Sequence, residues 1–295
     1  MARRIHVVIN PASGQPQPIL HTLNRVFREA QMDWDISLTK QSGDAERFAR
    51  QAAESGADVV AAYGGDGTVM EVARGLVGSP VPMAILPGGT ANLMSVELGI
   101  PKKLEEAARI ASSETSQVRR VDAGMVGETF FLLRVGLGFA AQKVKLADRK
   151  LKDKYGVLAY SIAAIRALKQ TRPVNFRLTL DGKVTEVQGL TCLVDNAGNM
   201  GISNLSPGRN IGVSDGLLDV LLIINPGFGS LVDASKKLVE RGATDSYVHW
   251  QAKDITIEAD PPQPVQIDGE MAGETPVYIR VIPQALGVLI AGNPV

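Results

Sequence analysis

Three glycines and an aspartate stand together at Gly64-Gly65-Asp66-Gly67, between the apolar run Ala57-Asp58-Val59-Val60-Ala61-Ala62 and the helical spacing Val69, Val72, Ala73, Leu76. A buried strand that ends in glycines and opens a helix leaves backbone N–H groups pointing at one spot, where the helix dipole favours negative charge. Such a loop is a phosphate cradle. An aspartate at its centre would repel a polyphosphate unless a divalent cation or a transferable proton lay between them. The loop therefore points to phosphate chemistry rather than phosphate storage. Two further loops share its character: Asn10-Pro11-Ala12-Ser13-Gly14 and Leu86-Pro87-Gly88-Gly89-Thr90-Ala91-Asn92. Each closes a strand-like run, and in a parallel sheet the carboxyl ends of the strands share one ligand-binding edge, where the three would converge. Taken singly, each is equally a plain strand-to-helix connection. Acidic candidates follow at Ser214-Asp215-Gly216-Leu217-Leu218-Asp219 and Gln266-Ile267-Asp268-Gly269-Glu270. Asp-Gly is also the commonest hairpin turn, and Asp181-Gly182 reads as a purely structural use of it.

The elements that must position these residues change character along the chain. Ile5 to Asn10, Trp34 to Lys40, Ala57 to Tyr63 and Pro82 to Leu86 read as strands, with helices over Ile19 to Ala30, Ala45 to Ser55 and Val69 to Val77. This alternation predicts a parallel α/β domain over 1–122, to which 286–295 can return. From about Val118 the strand-like runs Thr129 to Val135, Val174 to Leu180, Val184 to Val194 and Leu217 to Ile224 are separated by turns, so 123–295 reads as a mostly antiparallel, β-rich domain. Helical stretches at Ala140 to Lys152, Val157 to Lys169 and Ser230 to Glu240 interrupt it.

Composition sets limits. With 31 basic and 31 acidic residues among 295, no whole-molecule field draws the chain to nucleic acid or an anionic surface, and no nucleic-acid partner is expected. A lone cysteine, Cys192, forms no internal disulfide. The start Met1-Ala2-Arg3-Arg4 leads into a strand-like run, which gives a cytoplasmic address as the expectation. No run reaches the roughly 18 apolar residues of a membrane span.

Taken in order, Asn10 to Gly14, Gly64-Gly65-Asp66-Gly67-Thr68 with Glu71, Pro87 to Asn92, Asp215-Gly216-Leu217-Leu218-Asp219 and Asp268-Gly269-Glu270 resemble the motifs of the diacylglycerol kinase catalytic-domain family, specifically its soluble bacterial lipid kinases. Gly-Gly-Asp-Gly-Thr is shared with NAD kinases and marks the superfamily; the later motifs narrow it. The resemblance implies a Rossmann-like nucleotide-binding domain, a carboxyl-terminal antiparallel β-sandwich and an active site in the cleft between them. It implies ATP contacts from Asn10, Pro11, Ala12, Ser13, Gly14, Thr39, Gly65, Asp66, Gly67, Thr68, Val69, Met70, Glu71, Gly89, Thr90 and Asn92. It implies Mg²⁺ held by Asp215 with main-chain oxygens of Gly212 and Leu217, and Glu270 as proton acceptor assisted by Asp66 and Asp268. The implied reaction is ATP-dependent phosphoryl transfer to a lipid hydroxyl such as that of diacylglycerol. An NAD kinase-like activity and a catalytically silent regulator are the alternatives, and a homodimer is left open. Where the family often has a glycine pair, this chain has Met200-Gly201.

Phosphoryl transfer needs in-line positioning, a metal across the β- and γ-phosphates and a base for the acceptor hydroxyl. Asp66 and Glu270 suit the last two needs. The chain contains neither a Walker A sequence nor a His-Arg-Asp loop, so backbone amides and metal must hold the triphosphate. Val135-Gly136-Leu137-Gly138-Phe139-Ala140 matches a dinucleotide fingerprint, but the hairpin expected at Asp181-Gly182 removes the parallel crossover that a Rossmann oxidoreductase requires. Lys143, Lys145, Arg149, Lys150, Lys152 and Lys154 beside the apolar stretch Val157 to Leu168 suggest peripheral contact with the inner membrane surface. A solvated face beside a core helix explains the same pattern. His6, His21 and His249 lack metal-ligand spacing and read as structural, as do Tyr155 and Tyr160.

Overall fold

The computed structural model describes residues 3–14, 17–138, 172–198, 212–224, 243–244 and 247–292. The three predicted helices within 140–169 and 230–240, the basic stretch, Tyr155, Tyr160 and Met200-Gly201 lie outside them. The chain divides into two compact units, Met1–Asp122 with Gln284–Val295, and Ala123–Pro283.

In the first unit, β1 (Arg4–Ile9), β2 (Asp33–Leu38), β3 (Val59–Gly64) and β4 (Met83–Pro87) pair in the order β2-β1-β3-β4, all parallel. The last part of β17 (Val277–Ile290) joins beside β4, with Val288 opposite Met83. Every residue of β3 and β4 is buried, so both faces of the sheet are covered. Continuous burial is why these strands read as unbroken apolar runs rather than alternating ones. The connecting helices are α1 (Ile19–Glu29), α2 (Asp44–Glu54), α3 (Asp66–Leu76), α4 (Leu93–Glu97) and α5 (Leu104–Ser112). Helix α2 packs on α3 and α1 on α5. At Gly75 the backbones of α2 and α3 approach so closely that a Cβ would run into the Glu46 carbonyl oxygen.

Two features depart from expectation. Helix α3 starts at Asp66 rather than Val69, so the Asp-Gly-Thr segment is its first turn. Helices α4 and α5 were not anticipated, although Leu104, Ala107, Ala108 and Ala111, all buried, carry a plain 3.6-residue period.

The second unit is a sandwich. One sheet runs β12 (Ala243–Thr244), β13 (Tyr247–Ala252), β11 (Leu218–Ile223), β10 (Thr191–Asp195), β7 (Arg134–Gly138), β15 (Pro264–Ile267), β16 (Glu270–Glu274), antiparallel throughout. The other holds the first part of β17 against β14 (Asp254–Asp260), β8 (Val174–Leu180) and β9 (Lys183–Gly189), also antiparallel. A short hairpin, β5 (Gln117–Val126) with β6 (Thr129–Phe131), precedes them. Phe131, Leu137, Phe176, Leu178, Val220, Ile255 and Ile279 are among the side chains that fill the space between the sheets.

Residues 129–135 and 184–194, each expected as one strand, are each two. The second break has a clear cause. At Gly189 the chain leaves β9 and enters β10 in the opposite sheet, passing so close to Leu222 that a Cβ would lie 2.6 Å from its Cγ. The dinucleotide-like fingerprint is also resolved: β7 is antiparallel to both β10 and β15, so no parallel crossover leaves it. Among the described residues no helix is long and apolar enough to cross a membrane.

Candidate functional site

In the first unit the three glycine loops do converge. Strands β1, β3 and β4 are neighbours, and in the parallel order β2-β1-β3-β4 the chain's progression across the sheet reverses between β1 and β3, the position at which open α/β sheets bind ligands. Asn10 ties the first loop to the second: its N–H donates to the Tyr63 carbonyl (3.0 Å) and its Nδ2 to Thr68 Oγ1 (3.1 Å), while Oδ1 accepts the Ala12 N–H (3.0 Å). Gly14, at φ +82°, passes against the Gly88 carbonyl, where any Cβ would collide. Gly88 donates its N–H to the Gly64 carbonyl (2.8 Å), and a Cβ on Gly89 would lie 2.5 Å from Gly65 Cα. These glycines are needed because backbone lies directly on backbone.

Asp66 is the keystone of this arrangement. Its carboxylate accepts the N–H of Asn92 (3.2 Å) and of Leu93 (2.6 Å), fixing the third loop to the first turn of α3. Asn92, itself left-handed at φ 51°, closes that loop by exchanging bonds with the Gly89 N–H and carbonyl (3.0 and 2.6 Å). Gly65 caps α3 with no side chain, so the first-turn N–H groups meet no side-chain acceptor from the cap.

The other nucleotide-contact candidates sort by burial. Pro11, Ala12, Gly14, Gly67 and Thr90 are exposed, and Ser13, Thr39, Gly65, Asp66 and Gly89 half-buried. Thr68, Val69 and Met70 are buried, which confines any contact from the last two to backbone. Glu71 is engaged elsewhere, its two carboxylate oxygens accepting the Ser42 hydroxyl (3.2 Å) and the Ala45 N–H (3.1 Å) at the start of α2. Asp44 accepts the N–H groups of Lys40 and Gln41 (2.9 and 3.1 Å), which lowers its pKa, the Arg47 guanidinium adding to the effect. Together Glu71 and Asp44 shape the loop that follows Thr39.

In the second unit, Gly212 to Leu217 forms a tight turn in which Asp215 N–H points to the Gly212 carbonyl (3.4 Å) and Asp215 Oδ1 accepts the Leu217 N–H (3.0 Å). One exposed carboxylate and two main-chain carbonyls in a single turn are hard oxygen donors, the chemistry that suits Mg²⁺ completed by water. The set fits such an ion. Asp268-Gly269 is the two-residue turn of the β15–β16 hairpin, both residues at positive φ (44° and 94°) with Ile267 opposite Glu270. Asp268 accepts three N–H bonds, from Leu132 (3.1 Å), Leu133 (3.1 Å) and Arg134 (2.8 Å). Glu270 is exposed.

Sequence reasoning missed a buried ionic row across the sheet of this unit. Arg134, Asp195 and Asp219 occupy facing positions on β7, β10 and β11. Arg134 Nε lies 3.2 Å from Asp195 Oδ1, and His249 Nε2 lies 2.6 Å from Asp219 Oδ1. Burial pushes the Asp195 carboxyl up to about 6, with Arg134 opposing the shift and Asp219 adding to it. The signal was faint: each acid ends or enters an apolar strand, and only the register brings them together.

Residues 4–126 match the diacylglycerol kinase catalytic domain. Residues 134–290 match the YegS C-terminal NAD kinase beta sandwich-like domain. A Staphylococcus haemolyticus protein named "Putative lipid kinase" is 33% identical over 265 residues, 86% of this chain and 84% of its own. An uncharacterized protein of Synechocystis is 28% identical over 302 residues, 96% of this chain and 69% of its own. A crystal structure of a diacylglycerol kinase from Bacillus anthracis is similar with a TM-score of 0.78 at 28% identity, covering 99% of this chain and 97% of that one.

Proposed function

The chain belongs to the diacylglycerol kinase catalytic-domain family, and from that premise we propose that it transfers the γ-phosphoryl group of ATP to a lipid hydroxyl such as that of diacylglycerol. The observation that carries this reading is the packing of three glycine loops, backbone on backbone, at the carboxyl ends of adjacent parallel strands. That edge offers N–H groups and a helix N-terminus to a polyphosphate without any lysine of a Walker motif.

In the proposed reaction the acceptor oxygen forms a bond to the γ-phosphorus as the bond to the bridging β–γ oxygen breaks, and ADP departs. The acceptor's proton passes to the Glu270 carboxylate. Asp66 holds the third loop against α3, so the donors of all three loops are fixed before the nucleotide arrives, which lowers the reorganisation cost of the transition state. Mg²⁺, for which Asp215 and the main-chain oxygens of Gly212 and Leu217 would be ligands, supplies charge neutralisation of the kind phosphoryl transfer needs. Peripheral docking on the inner membrane surface would bring the lipid to the protein.

The test is transfer of a radiolabelled γ-phosphate to a panel of glycerolipids, sphingoid bases and NAD, with Glu270→Gln alongside. Labelled lipid with the wild type, and collapse of turnover at nearly unchanged ATP affinity in Glu270→Gln, is the expected result. Labelled NAD in place of lipid would move the assignment to the NAD kinases, and parallel loss of nucleotide affinity would make Glu270 a binding residue.

A further inference from the structure

The motif Asp268-Gly269-Glu270 offers two carboxylates, and the structure gives them different roles. We infer that Asp268 is a positioning residue that anchors the β15–β16 turn, and that it neither donates nor accepts the transferred proton. The inference rests on the reading of Glu270 as the proton acceptor and deepens it.

The geometry is complete within the second unit. Asp268 Oδ1 accepts the N–H groups of Leu133 (3.1 Å) and Arg134 (2.8 Å), and Oδ2 accepts that of Leu132 (3.1 Å). Its own N–H donates to the Arg134 carbonyl (3.0 Å). Three of the roughly four lone-pair sites of the carboxylate are thus committed to main chain. The segment they hold is the entry to β7, on which β15 pairs with Ile267 opposite Val135. The anchored segment is fixed from its other side as well: Arg134 reaches the wholly buried Asp195, and Asn196 Nδ2 donates to the Leu132 carbonyl (2.9 Å). The exposed Glu270 therefore leaves a turn whose two residues are locked at positive φ and whose first carboxylate is tied across to a neighbouring strand.

The chain provides its own control. Asp181-Gly182 forms the same kind of turn, with φ of 47° and 80° and Leu180 opposite Lys183. Asp181 Oδ1 likewise accepts two main-chain N–H groups, of Lys253 and Asp254 (both 2.9 Å), and its N–H donates to the Asp254 carbonyl (2.9 Å). There the residue after the turn is Lys183, which carries no carboxylate. An aspartate in this position is thus a cross-strand clamp in both turns. What differs at 268 is the passenger that follows.

The experiment reads the anchor and the chemistry separately. Hydrogen exchange at the amides of Leu132, Leu133 and Arg134 is compared among the wild type, Asp268→Ala and Glu270→Gln. Acceleration of about tenfold or more in Asp268→Ala, with none in Glu270→Gln, is expected. In the lipid kinase assay Asp268→Ala should lower kcat by about 10- to 100-fold, as loss of positioning does, at unchanged KM for ATP. The acidic limb of its pH–rate profile should stay where the wild type has it. In a Glu270→Gln background the same change should add nothing, because it acts through Glu270. Asp268→Asn, which keeps the Oδ1 acceptor, should fall between and serves if the alanine variant does not fold. Unchanged amide exchange in Asp268→Ala, or disappearance of the acidic limb in Asp268→Asn, overturns the inference. Retention of full turnover by Glu270→Gln instead overturns the base assignment, and the amides then still decide whether Asp268 is an anchor.

Discussion

Replacing Gly89 by alanine tests whether the close approach of the glycine loops matters to function. The new Cβ would lie 2.5 Å from Gly65 Cα and 3.1 Å from Asn92 Oδ1, whereas ordinary contact begins near 3.4 Å. Both neighbours are held: Gly65 begins the turn in which it accepts the Val69 N–H, and Asn92 is bonded to Asp66 and to Gly89 itself. Relief therefore requires the second and third loops to part by about 1 Å. Such overpacking costs about 1–3 kcal/mol of stability, which a domain of this size survives. A 1 Å displacement of groups that hold a reacting phosphate costs about 10²-fold in rate, or about 2.7 kcal/mol of transition-state stabilisation. Gly67 is the control. A Cβ there meets nothing within 4 Å, and alanine in the first turn of α3 favours the helix by up to about 1 kcal/mol. Gly67→Ala should be as stable as the wild type or more so. The assays are urea denaturation and ATP titration, followed by kcat/KM on the lipid that serves as acceptor. Gly89→Ala with wild-type ATP affinity and turnover would refute the argument that packed loops form the nucleotide site, and a destabilised Gly67→Ala would refute the geometry of the loop.

Asp66→Asn keeps one acceptor oxygen for the two N–H groups of Asn92 and Leu93, so turnover should be abolished while circular dichroism stays native; retention of most activity would remove Asp66 from the mechanism. The Asp195 carboxyl, raised from 3.8 to about 6 by burial, makes the folded state the tighter proton binder between those values. Its contribution to stability is full below pH 3.8 and lost as pH rises through 6, by up to about 3 kcal/mol. Urea melts of the wild type and Asp195→Asn should therefore diverge in favour of the variant as pH rises from about 3.8 to about 6 and run parallel above that, and a pH-independent difference would contradict a buried carboxylate. Glu71→Gln weakens the acceptor of the Ser42 hydroxyl and Ala45 N–H, so stability should fall by about 1 kcal/mol; a loss of ATP affinity with no loss of stability would return Glu71 to direct nucleotide contact.

The parts of this molecule that were legible from its sequence are those whose physics is local. A buried parallel strand such as Val59 to Gly64 shows as a continuous apolar run, and the loop glycines show because no other residue fits where Gly64 faces Thr68, Gly89 lies on Gly65 or Gly14 on Gly88. The passage at Gly189 was legible in principle: alternating burial along β9 gives way to five buried residues in β10, and a change of period within one run marks a change of sheet. The ionic row was not. Arg134, Asp195 and Asp219 are neighbours only through register, and a single-residue slip of either pairing would dissolve the row. The Asp-Gly turns lie between these cases. Asp181-Gly182 and Asp268-Gly269 are the same two letters in the same conformation, and the two letters alone do not tell one turn from the other. The distinction lies in what each carboxylate grips more than 70 residues away in sequence and in whether lysine or glutamate comes next, so a motif letter such as Asp268 acquires its role from the bonds it makes rather than from the acidity it offers.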